Sequence, residues 1–302
     1  MQFNPRYLDL SLKYDLDKED RENLILTFNL AHNSLINIYY KMGLGRFFKG
    51  VWFLFVTLVI FYIYLPTFII LSIFKNGFRK TPYIVSHHVF KIFKVKKYEI
   101  NLPNIHILSS FQGVIFTTHK GWFDFFYSAI AADAAQFGRL AVFIAFPPAL
   151  MCHLISNFCL VYHRAKKGKK SDKQKLAKLG DSVDTYIHRK NPRLLVFPEG
   201  HRNRKGRGLQ ELRTGFLRIC FEKKINIFVM PTEGSQHIFN EFTLSTRRNQ
   251  PLVINYSGVV LPTDYSSWND FHDAVLAKMK KGYDECCEYY DEITEAKVSK
   301  DD

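Results

Sequence analysis

The chain has 302 residues, 47% of them hydrophobic and 16% aromatic, and its 42 Lys and Arg against 28 Asp and Glu leave a formal charge of +14. That length builds one good core plus a membrane attachment, or two small domains, and the positive balance selects anionic partners: phospholipid headgroups, nucleic acid or a phosphorylated cofactor. Five cysteines, odd in number and without a CxxC pair, argue against a disulfide framework and a zinc site and fit a reducing, cytosol-facing location.

Residues 1–23 are polar and mixed in charge, with no basic start running into an apolar core, so no secretory signal is read there. Residues 24–40 read as a partly amphipathic helix, interrupted by Gly43 and Gly45. From Val51 to Phe74 no residue is charged. At about 1.5 Å per residue this run can cross a hydrocarbon core of about 30 Å; a buried core helix is the competing reading. Pro66 leaves a kinked span and a re-entrant segment both open. Basic residues flank both ends (Arg46 and Lys49; Lys75, Arg79 and Lys80), so the charge rule assigns no orientation.

From about residue 81 strands alternate with helices. The expected organisation is an N-terminal helical membrane-attachment region over 1–80 and an α/β domain over 81–302, with a mixed, largely parallel sheet flanked by helices. A β-branched strand over 112–118 runs into Thr118-His119-Lys120-Gly121-Trp122-Phe123-Asp124, and Asp124 opens a helix over 124–136. Five residues apart, His119 and Asp124 would lie about 140° apart on one helix. They meet only if a turn folds the chain between them, and that turn sits at the carboxyl edge of the sheet, where open α/β folds place ligands.

The run Leu140 to Val161, broken by Pro147-Pro148, reads as a buried strand, a turn and an apolar wall. Lys166, Lys167, Lys169 and Lys170 form a dense charge cluster, either a solvated loop or a contact for anionic groups. Ser171 opens a helix that ends before Pro192, and a strand over 193–197 leads into Phe197-Pro198-Glu199-Gly200-His201-Arg202. The following Arg- and Gly-rich loop lacks a Walker A pattern. A helix near 209–222 and strands near 225–230 and 252–260 follow. Ser267-Trp268-Asn269-Asp270 is a capping box opening the last helix, Cys286-Cys287 read as surface thiols on it, and the polar tail past 291 reads as frayed.

His119 with Asp124, and Phe197-Pro198-Glu199-Gly200 with Arg202, resemble the first and third motifs of the glycerolipid acyltransferase family, which includes 1-acylglycerol-3-phosphate and related lysophospholipid acyltransferases. Val161-Tyr162-His163-Arg164 fits its second motif loosely, and Phe228-Val229-Met230-Pro231 its fourth; the resemblance covers roughly residues 80–262. It implies transfer of a fatty acyl group from acyl-CoA, as co-substrate, to a lysophospholipid hydroxyl at a membrane, in the endoplasmic reticulum with the domain facing the cytosol.

A thioester is already activated, so one base that takes the hydroxyl proton suffices; histidine, steadied by a carboxylate, suits that task. No GxSxG elbow is present to argue for a covalent serine intermediate. His119 is the expected base and Asp124 its partner. Arg202, and then Arg164, are the expected phosphate donors. Glu199 is expected to accept from a glycerol hydroxyl or to orient Arg202, Gly200 to let the backbone come close, and the Lys120-Gly121 turn to supply N–H groups to the oxyanion. No metal or other cofactor is expected, since no HExxH or comparable ligand cluster occurs, and no nucleic acid, in whose binding the uncharged 51–74 run would have no role. Thr118, Lys120-Gly121 and His201 depart from the family's usual residues. The acceptor is therefore left among 1-acylglycerol-3-phosphate, another lysophospholipid and glycerol 3-phosphate, with an inactive lipid-binding relative as the alternative.

Overall fold

A computed structural model describes residues 44–76, 81–139, 142, 147–156, 159–162, 173–189, 192–203, 207–240, 242 and 244–301. The 24–40 helix, the 163–170 segment with its lysine cluster, and Arg164 lie outside them. The chain divides into two compact units, 1–52 and 53–302, and the second holds the fold described below.

One helical run is built from α1 (Leu44–Thr57), a π-helical stretch (Leu58–Tyr64) and α2 (Leu65–Asn76). The π stretch ends just before Pro66, and the Leu65 N–H reaches back to the Ile60 carbonyl. A wider turn there accommodates a proline that would otherwise clash with the preceding turn. There follow α3 (Thr81–Phe93), β1 (Lys96–Ile100), α4 (Pro103–Ser110), β2 (Gly113–Phe116), α5 (Asp124–Ala131), β3 (Ala135–Arg139), α6 (Pro147–Ser156) and β4 (Cys159–Tyr162). Next come α7 (Lys173–Arg189), β5 (Arg193–Val196), α8 (Thr214–Glu222), β6 (Ile227–Val229), β7 (Thr232–Glu233) and the short α9 (Ser235–Ile238). The chain closes with β8 (Phe239–Asn240), β9 (Ser245–Thr246), β10 (Pro251–Asn255), β11 (Gly258–Val260) and α10 (Trp268–Asp301).

The main sheet has the order β11-β6-β2-β5-β3-β4, parallel throughout except for β11. A second sheet orders β1-β10-β7 and β8 pairs with β9. The expected mixed, largely parallel sheet flanked by helices is what the chain forms. Alternation along the central strands makes two cores. Ile115, Leu195 and Phe228 face one side, with Phe126 and Tyr127 of α5. Val114, Phe116, Leu194 and Val196 face the other, with Val183 of α7 and Leu217 of α8.

The crossover from β2 leaves toward β3, past β5, while that from β5 leaves toward β6, past β2. Neighbouring strands whose connections part in this way open a crevice at their carboxyl ends. Register pairs Phe116 with Val196, so the two loops that matter leave the sheet side by side.

Several expectations need correction. The Leu140–Val161 run contains helix α6 before strand β4; Pro147 and Pro148 begin the helix, where a missing N–H costs no hydrogen bond. Helix α5 stops at Ala131 because Asp133 takes a positive φ and β3 begins two residues on. Helix α8 starts at Thr214, not near 209, since the Gln210 and Arg213 N–H groups are engaged by Glu199 and by the Pro198 carbonyl. The single strand at 252–260 is two, β10 and β11. Helix α10 runs to Asp301, past the expected fray, and is tied down at Tyr290, stacked on His237, and at Asp291, paired with Arg207. Cys286 is a core thiol whose S–H reaches the Pro231 carbonyl, while Cys287 is half-buried. The capping box forms as expected: Ser267 Oγ accepts the Asp270 N–H and donates to its carboxylate.

Part of the apolar run packs on the α/β part of the chain. Phe61, Leu65 and Ile69 belong to the same core cluster as Phe123, Phe126 and Phe239. Phe61 stacks at 5.9 Å on Phe126 and meets Phe239 edge-on at 5.1 Å. Leu54, Phe55, Leu58, Ile63, Leu71 and Phe74 are exposed, so the remaining apolar face is uncovered. Phe61→Ala is expected to lower stability by about 3 kcal/mol, and Leu71→Ala, at 63% exposure, to leave it unchanged. Equilibrium chemical denaturation in detergent checks this; equal midpoints for the two variants would mean that the helix is not docked.

Candidate active site

Two loops at the carboxyl edge of β2 and β5 make the site. The first places His119 three residues beyond β2, with Asp124 at the start of α5. The turn does what the spacing demands: His119 Nδ1 lies 2.8 Å from Asp124 Oδ2. A carboxylate oxygen only accepts, so the proton is on Nδ1 and Nε2, on the far edge of the ring, keeps its lone pair. The ring is held in plane by Phe197, stacked at 3.9 Å and 14°, and by the edge contact of Phe125 at 5.9 Å.

Asp124 is fully buried. Its Oδ2 also accepts the backbone N–H groups of Lys120 at 2.5 Å and Gly121 at 2.9 Å, and its Oδ1 accepts the Ser235 hydroxyl at 2.5 Å. The acid thus closes the turn rather than capping the N–H groups of its own helix. It also takes up both N–H groups expected to serve an oxyanion, so Lys120-Gly121 is not that donor pair.

Glu199 is buried as well, and backbone N–H groups engage both of its carboxylate oxygens. Oε1 accepts the His119 N–H at 2.9 Å and Oε2 the Gln210 N–H at 3.2 Å. The carboxylate therefore braces one loop against the other. Burial pushes its pKa up to about 7, against the smaller opposing effects of the His119 N–H and the Lys120 charge. Gly200 has φ +73°, and a Cβ there would meet Arg213 Cγ at 3.0 Å. What comes close to this glycine is the Arg213 side chain, which needs both the left-handed backbone and the missing methyl.

His119, Gly200 and Arg202 line one pocket of 560 Å³. Its apolar wall includes Phe125, Phe137, Leu179, Phe216 and Phe242, and Arg139, His201 and Arg213 stand in it beside Arg202. The Arg202 guanidinium lies 5.2 Å from the Phe242 ring centre. Burial lowers the His119 pKa; the Asp124 hydrogen bond and charge oppose this, and the Arg202 and His201 charges add to the lowering. The imidazole is therefore neutral at pH 7, with an unprotonated nitrogen available to accept a proton from a group held in the pocket. Among the described residues no group of three or more His, Cys, Asp and Glu side chains is placed to hold a metal ion.

The structure thus brings His119, Asp124, Gly200 and Arg202 together and sets Glu199 behind them. Sequence reasoning missed Ser235, Arg139 and Arg213. For Ser235, 111 residues from Asp124, no local signal exists. Arg139 ends β3 and Arg213 stands just before α8, whereas the sequence reading placed Arg213 inside a helix near 209–222. In an NMR titration, His119 is expected to protonate below pH 6.5, and lower still in Asp124→Asn, which removes the charge that favours the imidazolium. An unchanged or higher value in the variant would remove Asp124 as its electrostatic partner.

Residues 99–232 match the model of the Acyltransferase family. No curated protein matches by sequence. Among solved structures the chain is similar to PlsC, the 1-acyl-sn-glycerophosphate acyltransferase of Thermotoga maritima, with a TM-score of 0.56 at 15% identity over 80% of this chain and 95% of that one. The His119–Asp124 turn, the Phe197–Arg202 loop and the paired strands β2 and β5 that join them all fall within residues 99–232, the stretch of this chain that matches the acyltransferase domain.

Proposed function

We propose that this protein moves a fatty acyl group from acyl-CoA to the free hydroxyl of a lysophospholipid, with 1-acylglycerol-3-phosphate as acceptor and phosphatidic acid as product. One observation carries the reading: His119, an imidazole held at Nδ1 by a buried carboxylate, lines the same pocket as Arg202. The apolar wall suits an acyl chain, and the arginines suit a phosphate monoester, which a guanidinium binds through two parallel hydrogen bonds. PlsC, whose fold this chain shares, is described as acting on the same class of acceptor.

In this mechanism His119 Nε2 takes the hydroxyl proton as the acceptor oxygen attacks the thioester carbonyl. Asp124 stabilises the imidazolium that forms. Collapse of the tetrahedral adduct breaks the carbon–sulfur bond, and the departing thiolate receives the proton from Nε2. Arg202 holds the acceptor phosphate, with Arg139 and Arg213 adding positive charge around it. Glu199 keeps the two loops in register, and Gly200 leaves room for Arg213.

The exposed apolar face along Phe48–Leu71 (24 residues) attaches the protein to a membrane. Because Phe61, Leu65 and Ile69 stay packed on the domain, the helix is expected to lie within one leaflet beside the site, delivering a lipid acceptor without removing it fully into water. A cytosol-facing endoplasmic reticulum membrane, where acyl-CoA is accessible, is the compartment that goes with this reading.

The test is a turnover assay with purified protein in mixed micelles, labelled acyl-CoA and a panel of lysolipids; a parallel arm uses acyl carrier protein as donor. His119→Ala is expected to reduce turnover at least 1,000-fold, on the order of the loss seen when a general base acting as a unit with its partner is removed. Arg202→Ala is expected to raise KM about 30-fold for a phosphate-bearing acceptor, the loss of one charge-assisted pair of hydrogen bonds. The rate should climb with pH through a value below 6.5 and level off above it, because His119 must be neutral. Full turnover by His119→Ala, or acylation only of acceptors without phosphate, overturns the assignment.

A further inference from the structure

Lys120 follows the proposed base directly, yet its side chain is buried and turns away from the pocket. Its Nζ donates to the Gly208 carbonyl at 2.7 Å and to the Tyr283 hydroxyl at 2.9 Å, lies 4.4 Å from the Tyr283 ring centre, and is 4.0 Å from Glu233 Oε2. The Tyr283 hydroxyl accepts the Gly208 N–H at 3.0 Å and donates to Glu233 at 2.6 Å. Gly208 is therefore gripped at both its N–H and its carbonyl, by a lysine from the first loop and a tyrosine from α10.

The same carbonyl accepts Asn203 Nδ2 at 2.7 Å, and the Asn203 N–H donates to the His119 carbonyl at 2.8 Å. Asn203 is the neighbour of Arg202. A closed circuit of hydrogen bonds thus runs from the His119 backbone to Asn203, to Gly208, to Lys120 and back along the chain to His119. Arg207 adds a second tie to α10 through the Cys287 carbonyl at 3.1 Å and Asp291 at 2.6 Å. Burying an ammonium and a carboxylate is costly unless each is well hydrogen-bonded, so this network holds one arrangement and resists others.

We propose that Lys120 and Tyr283 are positioning residues that set the distance between Arg202 and His119, and with it the fit of a phosphate-bearing acceptor. The C-terminal helix is thereby part of the acceptor site without lining it. The proposal rests on the acyl-transfer reading for its kinetic consequence, but its structural content stands apart from that reading.

The experiment uses the full chain in micelles, as wild type, Tyr283→Phe and Lys120→Met. Hydrogen exchange is followed at the Asn203, Gly208 and Gln210 amides, and steady-state kinetics compare 1-acylglycerol-3-phosphate with an uncharged monoacylglycerol. In both variants the Asn203 and Gly208 amides are expected to exchange at least tenfold faster, while amides of β2 and β5 stay at wild-type rates. KM for the phosphate-bearing acceptor should rise about tenfold, with kcat and the monoacylglycerol reaction changed less than twofold. Should Lys120→Met lose its protected core, Tyr283→Phe, which keeps the ring and the charge, decides alone. Wild-type exchange at both amides, or an equal loss with both acceptors, overturns the proposal. A wild-type protein inactive on every lysolipid would instead sink the acyl-transfer reading, and the exchange result would still decide the role of Lys120.

Discussion

A short polar contact, His119 Nδ1 to Asp124 Oδ2 at 2.8 Å, depends on a turn that Asp124 itself closes. The same oxygen holds two backbone N–H groups, and the other oxygen holds Ser235. One buried carboxylate therefore shapes the backbone, selects the imidazole tautomer and anchors the first residue of α9. Such a group tolerates little change, because any donor it lost would leave a desolvated oxygen without compensation. The constraint reaches the rest of the sheet: a tight turn after β2 is useful only if the loop after β5 lies beside it, and parallel pairing of β2 with β5 puts it there.

Charge is divided between two sides of that turn. Carboxylates Glu199 and Glu233 and the Lys120 ammonium are buried behind it, each committed to backbone or side-chain partners. Guanidinium groups stand in the pocket on the other side. An anionic ligand entering the pocket meets positive charge, and neither Glu199 nor Glu233 is among the residues that line it.

The apolar run and the catalytic-type loops are parts of one packed body. Aromatic contacts from Phe61 to Phe126 and Phe239, and from Phe90 and Phe93 to Phe123, carry the packing from the exposed helical face to the start of α5. The high aromatic content has two uses here, an interior that joins helix to sheet and an outer face of Phe, Leu and Ile suited to lipid.

What the sequence determined by itself was whatever short-range geometry controls. A β-branched run ending in His119, a glycine two residues on and an aspartate at a helix start allow few ways for that pair to meet. The Ser267–Asp270 capping box and the apolar run 51–74 are likewise local patterns. Tertiary structure decided which partner each polar group took. Glu199 reaches a backbone N–H 80 residues away, Ser235 reaches Asp124 over 111, and Lys120 finds Tyr283 over 163. Those choices follow from strand order and from how α10 packs on β10 and β7, and neither is written in any stretch short enough to read. A buried charge goes to whichever donor or acceptor the fold sets within about 3 Å, so its role becomes legible only once distant segments have been brought together.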